Sequence, residues 1–347
     1  GMDDPQLEAD LAGAAAAAKS FAKLYQGRLN SLNGGQLAQA MSEFEEIEEK
    51  LGRAGSYASL LFAADSSNPS ISRFSQSINE RLTDISTDLL FFGLELNRLE
   101  EADLQAKMDD PALARWQPYL RDVRMYRPHQ LGDDVEKVLL EKSVTGAQAW
   151  CRLFDETIAA LRVTVDGQTM TVGDALNRLS DTDRGVRERA GKAVGSVFEG
   201  NVRLFALITN TLAKAKSISD GLRHFARPTS SRNLSNMVED GVVDALVSAV
   251  RTDYPRLSHR YYALKAKWMG LDKLEHWDRN APLPGCAARQ IPWTEAKSIV
   301  QTAYDGFDPR MGKVLTTFLP RPWTDVPPPP GTSPAPPAGR GLHIPVS

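Results

Sequence analysis

The side chains able to carry catalysis are few. The 347-residue chain holds five histidines, His129, His224, His259, His276 and His343, and two cysteines, Cys151 and Cys286. A zinc-binding helix of the His-Glu-x-x-His kind needs two histidines four residues apart, so that both imidazoles face one metal. No histidine pair here has that spacing. His129 and His276 each stand at a helix-to-loop boundary, where a hydrogen-bonded structural histidine is the expectation. His343 lies in a proline-rich tail and receives no role. Cys151, in "AWCRLF", falls on an apolar helical stripe, which predicts a small buried hydrophobe rather than a nucleophile. The cysteines lie far apart in sequence and form neither a metal motif nor a disulfide framework, as expected of a reducing cytoplasm. "GRAGS" and "PGTSP" match no phosphate loop, and no dinucleotide pattern occurs. "RERAGK" and "RLSHRYYALKAK" are basic with aromatics between them. They read as solvated helix faces with core tyrosines rather than a nucleic-acid surface. Residue types and spacing therefore nominate no catalytic residue and no metal ligand, and leave the substrate-binding residues unknown.

The elements that must position any chemistry are mostly helices. Hydrophobic residues make up 42% and charged residues 24%, with a net charge of -3. That composition is ordinary for a globular protein and supplies no basic field for nucleic acid or anionic lipid. No apolar run reaches the roughly 20 residues of a membrane span, and the N-terminus lacks the pattern of a signal peptide. Gly1 before Met2 reads as a scar of tag removal. Asp4 and Pro5 form a cap and first-turn pair. Leu7, Leu11, Ala14, Ala18, Phe21 and Tyr25 then follow at steps of four and three, one face of a helix. "NGG" at 33–35 breaks it, and a second helix carries Leu37, Met41, Phe44, Ile47 and Leu51 inward. Ile78, Leu82, Ile85, Leu89, Phe92, Leu96 and Leu99 predict a long helix in a bundle or hairpin. Pro111 opens a helix that Pro128 ends. "LGDDVEKVLLEK" and "GAQAWCRLFDETIAAL" are two more. "RVTVDGQTMTV" departs from this pattern: Val163 and Val165 alternate with polar residues, and Asp166-Gly167 predicts a hairpin turn. Thr171 and Asp174 form a capping pair. One long helix is expected from about Asp181, carrying Val186, Ala190, Val194, Val197, Leu204, Ile208 and Leu212. "RPTSSRNLSN" reads as a loop. Helices follow at 242–250 and 255–269, the second closed by Gly270, and Thr294 caps a last one through Tyr304.

Several ordered stretches resemble the oligoendopeptidase F family of zinc metallopeptidases. "YASLLFAADSSNP" is similar to its N-terminal region and "LLFFGLELNRLEEADL" to its long-helix signature. "YLRDVRMYRPHQLGDDVEKVLLEK" is more specific, through Arg124, Pro128, His129 and Leu131. Gly132 stands where the family often has serine, so the next helix should be less well capped. "FARPTSSRNLSNMVEDGVVDALVSAV" and "RYYALKAKWMGLDKLEHWDRNAPLP" complete the match. The second of these carries the strongest signal, in Tyr261, Lys265, Gly270, Leu271, Leu274 and Asp278. The resemblance runs from about Leu37 to Asp325. It implies a mainly α, two-lobed multi-helix bundle of the thimet oligopeptidase and neurolysin kind, with one small β-hairpin. The expected domains are a long-helix N-terminal lobe at 2–130, a helical body leading into an incomplete catalytic domain at 131–325, and a proline-rich disordered tail at 326–347.

The resemblance implies a peptidase of short peptides whose zinc is held by a His-Glu-x-x-His helix and a downstream glutamate. That helix belongs beyond "WTDVPPPPGTSP", and from about Pro327 the likeness dissolves. Family arginines and lysines are expected near Pro329 and Thr332. Eight prolines stand among residues 323–347, and proline fixes φ and removes donors, so this stretch should be extended or disordered. The expectation is a product truncated before the zinc helix, translated out of register; a proline-rich ligand for an aromatic groove is the alternative. Zinc is thus a cofactor by family but none is expected on this chain, which alone should be inactive. A non-catalytic pseudoenzyme that binds peptides or a partner protein is the second reading, and one half of a split peptidase a third. Expected partners are short peptides, and a homodimer or a C-terminal half covering the region 261–268. Nucleic acid and membrane are not expected partners, and the cytoplasm is the expected compartment.

Overall fold

A computed structural model describes residues 1–285 and 291–321. Cys286, His343, the expected disordered tail and the positions of Pro329 and Thr332 lie outside the described residues. The fold is mainly α with one antiparallel β-hairpin, as expected. The chain divides into two compact units, residues 1–157 with 201–254, and 158–200 with 255 onward.

The first unit is built on three long helices, α1 (Pro5–Tyr25), α2 (Gly34–Ala64) and α3 (Pro69–Arg98). Their caps are written in the sequence. Asp4 accepts from the Gln6 amide at 3.0 Å with Pro5 in the first turn. Asn33 and Gln36 form a reciprocal capping box. The chain break expected at 33–35 thus opens α2; α1 has already ended at Gln26, before Gly27 (φ 75°). Gly34 is required by close approach: an added Cβ would overlap Asp110 Cβ and stand 2.6 Å from Lys107 O. The stripe of α3 faces inward, with Ile78, Ile85, Leu89, Phe92, Leu96 and Leu99 all buried. Phe21, Phe44, Phe91 and Phe92 pack ring on ring, Phe21 on Phe92 at 5.1 Å and Phe44 on Phe92 at 4.8 Å. Each such buried side chain contributes about 1.5–3 kcal/mol before the cost of ordering the chain.

Helix α4 (Glu101–Met108), a 3₁₀ segment from Pro111, α5 (Gln117–Arg124), a 3₁₀ turn at Arg127–His129, α6 (Asp133–Lys142) and α7 (Ala147–Ala160) follow. Pro128 falls inside the 3₁₀ turn after α5 has ended. Gly132 is the N-cap of α6 and gives no side-chain cap, as the family comparison predicted. Cys151 is exposed, a correction to the buried hydrophobe expected. Leu153 and Phe154 beside it are exposed as well, and Ala159 is the buried residue of α7.

In the second unit β1 (Arg162–Val165) pairs with β2 (Gln168–Thr171). Asp166 (φ 52°) and Gly167 (φ 77°) make the two-residue turn, whose positive φ values match the strand twist. Thr171 Oγ1 accepts from the Asp174 amide at 3.1 Å and caps α8 (Val172–Asn177). Val163, Val165, Val172, Ala175, Ala190 and Val194 form a small core with α9 (Arg184–Gly200). The single long helix expected from Asp181 is two: α10 (Val202–Leu222), which with the elements up to residue 254 belongs to the first unit, starts anew after Asn201, whose φ of -113° and ψ of 5° leave the helical region. The loop expected at 227–236 holds a short helix, α11 (Ser230–Ser235), before α12 (Asp240–Asp253). Asn233 is buried and donates to Asp240 at 2.7 Å. The side-chain acceptor at the start of α12 therefore organises a stretch with little helical propensity of its own. A π-helical turn at Pro255–His259 leads into α13 (Arg260–Trp268), which Gly270 (φ 67°) closes in a Schellman motif. Then come α14 (Trp293–Phe307), with Thr294 in its first turn and Pro292 at the cap, and α15 (Pro309–Phe318).

Candidate functional site

Among the described residues no three His, Cys, Asp or Glu side chains gather closely enough to hold a metal ion. A catalytic zinc needs three protein ligands and an open position, so the side chains described do not fit that metal. Polar chemistry instead gathers at two nodes, one within each unit.

The first node explains the Arg124–Leu131 motif. Arg124 Nη1 donates to the carbonyls of Leu96, Asn97 and Leu99 at 3.2, 2.7 and 2.7 Å. These are end carbonyls of α3 with no helical partner, so the guanidinium serves as their cap. His129 Nδ1 lies 2.7 Å from Arg223 O, and its ring stacks on Phe225 at 3.8 Å. His129 is thus the hydrogen-bonded structural residue its position suggested. The partner strand of this contact comes from the end of α10. There His224 adopts φ 58° and the Phe225 amide reaches back to Asp220 O at 2.9 Å. That left-handed turn carries Arg223 and Phe225 to His129. Arg223 meets Glu136 through two bonds of 2.7 Å, and the Leu131 amide donates to Glu136 at 2.9 Å. Burial pushes the Glu136 carboxyl up, but the Arg223 and Leu131 bonds and the Arg223 charge outweigh it and hold it below its ordinary value.

The second node is centred on Asp278, which is 0% exposed. Arg184 Nη2 and Arg187 Nη2 each donate to it at 3.0 Å, and the Glu275 amide at 3.1 Å. Burial raises its carboxyl; the Arg184, Glu275 and Arg187 bonds overcome this and hold it low. Lys265, also buried, donates to Arg279 O at 2.7 Å. Its own desolvation, then repulsion from Arg187, pushes its ammonium below the ordinary range, and Asp278 opposes that. Arg187 is fully used on one side, donating to Asp181 O at 2.8 Å and Thr182 O at 3.0 Å, while its Nε is buried without an acceptor.

Lys265 and Asp278, two of the residues carrying the strongest resemblance, therefore meet at one node. Gly270 of the same signature closes α13, while Tyr261 is exposed. Two readings are reversed. The tyrosines of "RYYALKAK" were expected in the core, yet Tyr261 and Tyr262 are exposed and Lys265 is buried. "RERAGK" was expected as a solvated face, yet Arg187 is buried. Its signal was legible: Arg187, Ala190, Gly191 and Val194 are the buried residues of α9, at helical spacing. A charge on an apolar stripe points to a buried partner. His276 packs edge-on against Trp277 at 4.6 Å, and Arg184 was not singled out at all.

A family model described as Oligopeptidase F matches residues 95–162, from the end of α3 through the Arg124–Leu131 motif to the start of β1. Group B oligopeptidase PepB of Streptococcus agalactiae is 25% identical over 270 residues, which are 76% of this chain and 44% of that protein. Oligopeptidase PepF of Bacillus subtilis is 24% identical over 314 residues, 87% of this chain and 46% of that protein. The chain thus spans about half the length of the curated relatives it matches. The crystal structure of oligoendopeptidase-F from Enterococcus faecium shares the fold, with a TM-score of 0.74 at 19% identity over 91% of this chain and 66% of that one. The sequence motifs, the family model over residues 95–162, the curated relatives and the fold all point the same way: the chain is similar to the oligoendopeptidase F family.

Proposed function

We propose that this chain is the N-terminal and early catalytic portion of an oligoendopeptidase F-type zinc metalloendopeptidase that hydrolyses short peptides in the cytoplasm, with the zinc ligands carried outside it. The observation that supports this reading is the match to two oligopeptidases along 76% and 87% of the chain, set beside described residues that hold no metal-binding group. No helix in the described residues is long and apolar enough to cross a membrane. The chain's own contribution is scaffolding: the Arg124 cap and the Asp278 node hold the helices of each unit in register. A second reading, a helical pseudoenzyme or half of a split peptidase, rests on the apolar side chains left exposed within each unit. Val242, Leu246 and Val247 on α12 are exposed in the first unit, and Tyr261, Leu264 and Trp268 on α13 in the second. Exposed apolar patches of a few hundred Å² usually find a partner, here a C-terminal half or a second copy.

The test loads purified protein with zinc, dialyses it, and measures metal by elemental analysis and cleavage of quenched fluorescent oligopeptides. The expected result is neither stoichiometric zinc nor chelator-sensitive cleavage. Both together would return the activity to this chain itself. Oligopeptide binding without cleavage would favour the pseudoenzyme.

A further inference from the structure

On α12 Val243, Val247 and Val250 follow one another at steps of four and three, an apolar stripe along one face. No residue of this helix is buried. Val247 is 49% exposed, Val250 44%, and Leu246, on one flank of the stripe, 64%. Polar ties hold its first turns to the unit: Ser230 and Asn233 donate to Asp240 at 2.6 and 2.7 Å, and Arg227 donates to Asp244 at 2.8 Å. An isolated helix shorter than about 12–15 residues is marginal in water, and β-branched valines lower its propensity further. The 14 residues of α12 therefore gain most from a partner that covers the stripe.

The charges beside the stripe identify that partner. Asp244 and Arg251 are both exposed. They stand seven residues apart, two helical turns, and so lie on the same flank of the stripe, opposite Leu246. At the Asp244 end two carboxylates, Asp240 and Asp244, share the one guanidinium of Arg227 at 3.9 and 2.8 Å, which leaves a negative charge unmatched there. When two such helices pack antiparallel, each Asp244 faces Arg251 of the other copy, and the two-fold axis repeats the pair. A parallel pair would set like charges together. We propose that α12 is the contact of a symmetric antiparallel dimer of this chain. The midpoint between residues 244 and 251 falls beside Val247, so the two Val247 side chains meet at the axis. Two helices of this length make a contact at the low end of specific interfaces, below about 1,200 Å², and the dimer is accordingly weak. The inference rests on the same exposed apolar side chains as the pseudoenzyme or split-peptidase reading. No zinc chemistry enters it, so loss of the dimer and gain of zinc-dependent cleavage are separate results.

Sedimentation velocity on the full chain, from about 1 to 200 µM, should show a reversible monomer–dimer equilibrium. Val247→Asp brings two carboxylates together at the axis and should leave a monomer throughout that range. Arg251→Glu and Asp244→Arg should each weaken the dimer about tenfold, since each turns two attractions into repulsions. Mixed in equal amounts, these two variants should associate again, because the two copies then meet with opposite charges at both ends of the stripe. Val247 and Arg251 are exposed, and Arg227, 45% exposed, can turn to water when Asp244 is changed. If Asp244→Arg fails to fold, Val247→Asp and Arg251→Glu still decide. A monomer at every concentration would hand the stripe to a different partner and overturn the proposal. So would a dimer that survives Val247→Asp, or a mixture that associates no better than either variant alone.

Discussion

The two charged nodes solve the same problem in opposite ways. Around His129 the charges are matched one to one, Glu136 with Arg223, and the side chains keep some access to water, 11% and 26%. Around Asp278 one carboxylate with no exposure serves two guanidiniums, and a buried ammonium stands beside them. A matched pair at partial exposure stabilises modestly and fails softly. A buried, unbalanced cluster is held by the single anion at its centre, because removing Asp278 leaves Arg187 and Lys265 charged and buried, while Arg184, 42% exposed, can turn to water.

Breaking the second node should therefore have the largest effect. Asp278→Ala should lower unfolding free energy by about 3–5 kcal/mol in urea titrations, and a loss of under about 1 kcal/mol would show that Arg187 finds other acceptors. Glu136→Ala should cost less, about 1–3 kcal/mol, the penalty for unpairing a partly hydrated guanidinium. Equal losses for the two variants would erase the contrast.

The pH dependence sharpens it. Asp278 and Glu136 are both held below their ordinary values. Their stabilisation is present above the unfolded-state value, about 4, and disappears as pH falls through the folded values. Lys265 runs the other way. Its ammonium is depressed in the folded state, so its protonation opposes folding, and its contribution improves as pH rises from the folded value toward about 10.4. Lys265→Met should remove that alkaline improvement and leave the acid limb in place. A smaller effect still is expected at the surface of the second unit. Arg189 pairs with Asp166 at 2.6 Å across the hairpin turn, with both side chains about half exposed. Arg189→Ala should leave the urea midpoint where it is, since solvent already screens the pair.

Much of the fold is legible in local sequence because its signals are local. Asp4-Pro5, Thr171 with Asp174, and Asp166-Gly167 each act within four residues, and the α3 stripe needs only its own periodicity. What escapes is set by contacts distant in sequence. The break at Asn201 is an exception, since Gly200-Asn201 is a local stop signal. The helix at 230–235 depends on Asp240, and the apolar stripe of α7 does not reveal that Cys151, Leu153 and Phe154 are left exposed. The site follows the same rule. Arg187 could have been read from its place on an apolar stripe. Its carboxylate partner could not, because Asp278 lies 91 residues further along the chain.

The Arg124 cap also has a consequence in time. The three carbonyls at the end of α3 wait for a side chain 25 to 28 residues further along. At roughly 5–20 residues per second of synthesis, the long helix leaves the ribosome with an open end for about one to five seconds. Its last turn should fray until Arg124 arrives, so the end of α3 is completed only after the 124–131 motif has been made.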